Sequence, residues 1–202
     1  MTKIDPRVLK TKRKLKTAFF TLIADGKLNS INVKDLTETA QVTRGTFYLH
    51  FKDKETFIKS MMTELVNEFF ERSIIERELP DGSMQPRLFL TNVFEYVDER
   101  PDFFTVLLKE DDALEYQRML SDRLHSYIEV YNETTNQKTD HNIPKPLLMN
   151  FMIYGVLGYI DQWLRDGKIY ATHYMADNLQ KLLDSAVIRE ADLTGFFVTS
   201  EV

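Results

Sequence analysis

Apolar residues recur every three to four positions along most of this chain, the period of amphipathic helices rather than strands. Val8, Leu15, Ala18, Phe19, Leu22 and Ile23 share one face, which predicts a helix from Val8 to Ala24, stopped by Asp25 and Gly26. Residues 1–7, ending at Pro6 and Arg7, read as a mobile arm. Further on, Val33, Leu36 and Ala40 fall at i, i+3 and i+7, with Asn32 placed to cap the helix start. Gln41 and Val42 break that pattern, Thr43 can cap a second short helix, and Phe47, Tyr48 and Phe51 give it an apolar side. Two short helices across a tight turn make a helix-turn-helix.

The rest of the pattern is helical as well. Asp53 can cap a fourth helix whose wide apolar face runs from Phe57 to Phe70. Glu71 to Glu78 is charge-rich, and Pro80, Asp81, Gly82, Ser83 and Pro86 mark a loop. Helices are predicted from Arg87 to Glu99, from Pro101 through Leu108, and from Leu114 to Asn132. Thr134 to Pro146 reads as a flexible loop, broken by Pro144 and Pro146. Leu147 to Arg165 is apolar on nearly all sides, which implies burial against more than one neighbour. Gly155 and Gly158 lie inside it at a cost near ~1 kcal/mol each, so close helix contact is expected there. A last amphipathic helix runs from His173 to Arg189. The expected fold is all-α with about nine helices: a three-helix head over residues 1–53 and a helical bundle over residues 54–202.

Charge sharpens this division. The whole chain carries −5, which alone argues against nucleic acid. Residues 1–60, however, hold 13 Lys and Arg against 6 Asp and Glu, a net +7, and the remainder holds −12. A basic head on an acidic body is the footprint of a nucleic-acid reader. The chain has no cysteine, which removes disulfides and thiolate chemistry and fits a reducing cytoplasm. No apolar run of ~18 residues and no signal-peptide pattern is present, so a soluble protein without a membrane partner is expected.

The outward chemistry of the second short helix points the same way. Arg44 can take a guanine edge or a phosphate, Thr43 and Thr46 offer hydroxyls, and Gly45 permits close approach. Tyr48, His50, Lys52 and Lys54 follow, and each can donate to a phosphate oxygen, as can Lys34 on the first short helix. The string TRGTFYLHFKDKETF resembles the TetR family of bacterial transcriptional regulators, with Ala40, Val42, Gly45, Tyr48, His50, Phe51 and Lys54 at the matching positions. Gln41 stands where that family usually has a turn glycine, and a residue with a Cβ is strained at positive φ. The string YGVLGYIDQWLRDG followed by an amphipathic helix is similar to the end of many members, whose last two long helices pair with their symmetry mates as a four-helix bundle.

The resemblance implies a homodimer that binds a near-palindromic double-stranded DNA operator, with its two reading helices ~34–36 Å apart. It also implies repression relieved by a small apolar or aromatic effector held in the body. Phe94, Phe103, Phe104, Tyr116, Tyr127, Met152, Tyr159 and Trp163 are the candidates to wall such a cavity, and they serve equally well as core. Two other readings stay open: a member that works through a protein partner or as an activator, and an α-helical enzyme with an appended head. Against the enzyme, the sequence shows no Gly-rich phosphate loop, no G-x-S-x-G elbow and no H-E-x-x-H. Neither a cofactor nor a metal is expected, and no catalytic residue is assigned.

Overall fold

A computed structural model describes residues 5–25, 28–109, 113–135, 143–183 and 192–200. Among them the chain forms nine α-helices, one short 3-10 turn and three short strands. The described residues fall into two compact units, Met1–Val66 with Asp102–Tyr116 and Asn67–Pro101 with Gln117–Val202.

The first unit is built on α1 (Pro6–Asp25), α2 (Val33–Thr39), α3 (Arg44–His50), the first part of α4 (Lys54–Ser73), and α6 (Pro101–Lys109) from Asp102 onward. Pro6 opens α1 rather than closing an arm, because a proline lacks only an N–H that the first helical turn leaves unbonded; residues 1–4 and Gly26 lie outside the described residues. Leu15, Ala18, Phe19 and Ile23 are buried, as their shared face requires. Phe19 meets Phe57 edge-on at 5.9 Å, and Phe57 in turn contacts Phe47 at 5.6 Å and Phe51 at 4.9 Å. One aromatic cluster therefore joins α1, α3 and the start of α4.

Both short helices carry the caps their sequences predict. The Asn32 side chain accepts a hydrogen bond from the Asp35 N–H at 3.0 Å, and the Thr43 hydroxyl accepts one from the Thr46 N–H at 3.1 Å. At the end of α2, the Val42 N–H donates to the Thr37 carbonyl at 3.0 Å and the Gln41 N–H to the Glu38 carbonyl at 3.1 Å. This is a Schellman turn, whose penultimate residue must be left-handed. Gln41 occupies that place at φ 53°, so the strain expected of a non-glycine residue here is present.

The second unit departs from the all-helical expectation in one region. The segment expected to be charged chain and loop forms a hairpin of β1 (Ile74–Glu78) and β2 (Met84–Phe89), turned by Gly82 at φ 82° and by Asp81 accepting from the Ser83 N–H at 2.9 Å. The pairing is antiparallel, Ile74 opposite Leu88 and Glu78 opposite Met84. Residues 197–198 add a parallel third strand, β3 (Phe197–Val198), beside Leu88 and Phe89. Pro86 is tolerated because it precedes the stretch where β2 has neighbours on both sides. Consequently α5 (Leu90–Glu99) starts three residues later than its sequence suggests, after Leu88 and Phe89 are used as strand.

The remaining helices are α7 (Leu114–Thr135), α8 (Lys145–Arg165) and α9 (Thr172–Leu183). Pro146 lies in the first turn of α8 and starts it instead of breaking it. Most of the expected flexible loop, and the expected continuation of α9 to Arg189, fall on residues 136–142 and 184–191, outside the described residues. Buried Leu148, Met149, Met152, Ile153, Ile160 and Trp163 line one side of α8, while Leu147, Phe151 and Tyr154 on the other are each more than 60% exposed. The expectation of burial on nearly all sides is therefore corrected within this chain. Gly155 and Gly158 belong to the exposed side, and a Cβ built at either would meet no atom within 4 Å. The close contact expected at these glycines is not made among the described residues.

Replacing Gln41 by glycine removes the left-handed strain, at the cost of a more flexible unfolded chain. Gln41→Gly is expected to raise stability by about 0.5–1 kcal/mol, read as a higher denaturant midpoint by circular dichroism. An unchanged or lower midpoint would show that the strain does not exceed the entropy cost of the glycine.

Candidate nucleic-acid interface

Helix α3 is only seven residues long, and one of them faces fully inward: Phe47 is 0% exposed. Everything on the opposite side is open. Arg44, Gly45, Tyr48 and Leu49 are exposed, as is Lys52 just beyond the helix end, and Thr46 and His50 are half-buried. Tyr48 thus does not share the buried side with Phe47 and Phe51, as the apolar pattern suggested; it stands 55% exposed with its ring edge-on to Phe47 at 5.4 Å. Its hydroxyl carries the ring outward, and Phe47 and Phe51 suffice to fill the core.

The two threonines act first on the helix itself. Their hydroxyl oxygens lie 2.9 Å apart, so Thr43 and Thr46 hold one another at the N-terminus while the Thr43 oxygen caps it. Lys34 is exposed on α2. Lys54 is different: its side chain is a quarter exposed, with a long 4.0 Å approach to Glu55. It lies in a cleft of about 390 Å³ lined also by Leu28, Asp53, Thr56, Ile58, Lys59 and Glu115. Asp53 caps α4 by accepting from the Thr56 N–H at 2.7 Å, and the hydrogen bonds from Thr56 hold its carboxyl below the usual range. A short ion pair joins Lys59 to Glu115 across the same cleft.

Nothing among the described residues requires glycine at position 45. Its φ is not in the left-handed region, and a Cβ there would meet nothing nearer than the Thr43 hydroxyl at 3.7 Å, an ordinary contact. The missing side chain leaves open the surface that α3 presents outward. Leu49, which the sequence reading left unassigned, is 82% exposed one turn further along the same side. The signal for it was the i to i+4 spacing from Gly45.

The eight aromatic and apolar residues considered for an effector cavity divide between the units. Phe103, Phe104 and Tyr116 belong to the first, where the two phenylalanine rings meet edge-on at 5.0 Å and Tyr116 lines the charged cleft. Phe94, Tyr127, Met152, Tyr159 and Trp163 belong to the second. There Phe94 packs edge-on against Trp163 at 5.4 Å and Tyr159 at 6.0 Å, and Tyr127 lies 5.4 Å from Phe70. The Trp163 N–H donates to the Tyr170 carbonyl at 3.0 Å. Among the described residues no helix is long and apolar enough to cross a membrane.

Comparison with known proteins agrees with this geometry. Residues 20–61 match the family described as bacterial regulatory proteins, tetR family, and residues 85–185 match its transcriptional regulator C-terminal region. The chain is similar to the uncharacterized HTH-type transcriptional regulator YxbF of Bacillus subtilis, 22% identical over 90% of this chain and 46% of that protein. It spans less than half the length of each of the curated regulators it matches. In fold it is similar to a TetR transcriptional regulator from Streptococcus agalactiae, with a TM-score of 0.64 and 20% identity over 90% of this chain and 97% of that one. It is also similar to FadR from Bacillus subtilis, solved in complex with stearoyl-CoA, with a TM-score of 0.61 and 19% identity over 86% and 97% of the two chains.

Gly45→Ala is expected to stabilise the head by about 0.5 kcal/mol, because alanine fits at an ordinary contact distance and favours the helix. Thr43→Ala is expected to cost about 1 kcal/mol through the lost cap. Denaturant unfolding of the two variants checks both, and opposite signs are the diagnostic result.

Proposed function

The chain belongs to the TetR family of bacterial transcriptional regulators, and on that premise we propose that it binds a near-palindromic operator in duplex DNA as a homodimer and acts in the cytoplasm. The observation that carries this reading is the outward side of α3, where Arg44, Gly45, Tyr48 and Lys52 stand exposed on a helix fixed from behind by Phe47. An exposed guanidinium near the start of a capped helix suits a guanine edge, and a bare backbone beside it lets the helix sit close to the groove floor. Tyr48, Lys52, Lys34 and His50 then hold phosphates and set register, with Thr43, Thr46 and Lys54 flanking them. The division proposed is a reading head over residues 1–53 and an effector and dimerisation body over residues 54–202.

The dimer contact proposed is the outward stripe of α8 with α9. Leu147, Phe151 and Tyr154 continue into Gly155 and Gly158 on one side of α8, and at the start of α9 the half-exposed Tyr170 and Tyr174 stack at 5.2 Å. Glycines on such a stripe let two helices approach closely. For the effector, the class proposed is a small apolar or aromatic molecule, walled by residues among Phe94, Tyr127, Met152, Tyr159 and Trp163. The stearoyl-CoA held by the related FadR supports an apolar ligand in this architecture. Helix α4 supplies residues to both units, so an effector that favours one setting of α4 would change the affinity for DNA.

Selection of duplexes from random DNA by the full chain is expected to return an inverted repeat. On that duplex Lys52→Ala should weaken binding and lower the slope of log affinity against log salt by about 1 per half-site. Gly45→Ala should weaken binding while the protein becomes more stable. Retention of wild-type affinity by Gly45→Ala and of the wild-type salt slope by Lys52→Ala would remove α3 as the reader. Phe151→Glu is expected to yield a monomer in sedimentation velocity, with a loss of operator affinity. A wild-type protein that sediments as a monomer under the same conditions would end the dimer reading.

A further inference from the structure

Leu49 is more exposed than any other large hydrophobic residue among those described, at 82%. Single apolar residues on a surface are ordinary, so exposure alone carries little. Its surroundings carry more. Arg44 and Tyr48 are exposed on the same helix, Lys52 just beyond its end and Lys34 on α2, so Leu49 is an apolar tip on a helix that also presents groups suited to phosphates. One helical turn before it stands Gly45, whose missing Cβ answers to no crowding among the described residues. A glycine that brings the backbone close and a branched apolar side chain one turn on would together meet a surface with a small apolar projection beyond it. Duplex DNA offers one such projection in the major groove, the 5-methyl group of thymine.

We propose that Leu49 sets operator specificity by packing its isobutyl group against a thymine methyl in each half-site. The proposal rests on the DNA-binding reading above and adds a contact that hydrogen-bonding residues cannot make. Its energy comes from removing one methyl from water. The corresponding loss is about four-fold in affinity per half-site and about fifteen-fold when both half-sites are altered. A leucine at this position also discriminates against cytosine, which has no methyl and whose exocyclic amine would lose its water to an apolar group.

The test uses the full chain and the tightest duplex recovered from random DNA. Each thymine is replaced in turn by deoxyuridine, which removes the methyl and leaves every hydrogen-bonding edge intact. Wild-type protein is expected to lose about four-fold at one position per half-site. Leu49→Ala, a change at an exposed position that leaves the fold intact, should bind the thymine duplex more weakly and no longer distinguish thymine from deoxyuridine there. Equal losses in wild type and Leu49→Ala, or no sensitive thymine at all, would overturn the assignment while leaving the DNA-binding reading in place. A wild-type protein that retains no duplex at low salt would overturn both.

Discussion

A seven-residue helix cannot hold itself together in water, so the whole candidate interface depends on what grips α3 from behind. The grip is Phe47, fully buried and in ring contact with Phe51 and Phe57, with Phe57 also meeting Phe19 of α1. Full burial of one such side chain contributes about 1.5–3 kcal/mol, and each favourable ring pair about 0.5–1.5 kcal/mol more. That is several times what the helix could gain from its own propensity. The outward residues are then free to be chosen for what they meet rather than for what they stabilise. Because Phe57 lies in the first turn of α4, the orientation of α3 is set by the same rings that anchor α4 in this unit.

Two residues near this cluster break local rules in opposite directions. Gln41 occupies a left-handed position that glycine fills more cheaply, yet both hydrogen bonds of the Schellman turn are made around it. The turn is held by its bonds and by Leu36 and Ala40 beneath, and the strain is tolerated. Gly45 occupies a helical position that alanine would fill better, and nothing among the described residues excludes a Cβ. A rule broken with an internal cause is a matter of folding; one broken without it points outward. On that distinction Gly45 belongs to the surface the helix serves.

The elements with strong helical periodicity were legible from the sequence, including the caps at Asn32, Thr43 and Asp53 and the proline start of α6. The sheet was not, for reasons that lie in its parts. Strand β1 has no alternation of buried and exposed residues, β2 contains a proline, and β3 is two residues long with partners more than 100 positions away. Its residues are held by tertiary contact instead: Phe196 is buried against Tyr131 at 5.2 Å, and the Tyr131 hydroxyl donates to the Thr194 carbonyl at 2.5 Å. On α3, residue types and spacing marked the candidate polar donors, but not the side of the helix that Tyr48 would occupy. Tyr48 reads as apolar yet is exposed, as is the unassigned Leu49, because Phe47 already fills the space behind so short a helix.

Helix α8 raises the question of what its outward side is for. Two glycines inside a 21-residue helix cost near ~1 kcal/mol each, and exposing Phe151 and Tyr154 forgoes a further few kcal/mol of burial. Among the described residues nothing offsets either term, since the glycines meet no atom within 4 Å and the rings are exposed. In the proposed homodimer both terms are offset together. A twofold axis across the stripe brings each glycine against its symmetry mate's helix, where a Cβ would hold the backbones apart, and covers the exposed rings in the same step. The buried side of α8, with Trp163 and Met152, meanwhile stays committed to its own unit's core. A helix with one apolar side for its own chain and a second, glycine-lined side for a copy is apolar all round in sequence without being buried all round in the monomer.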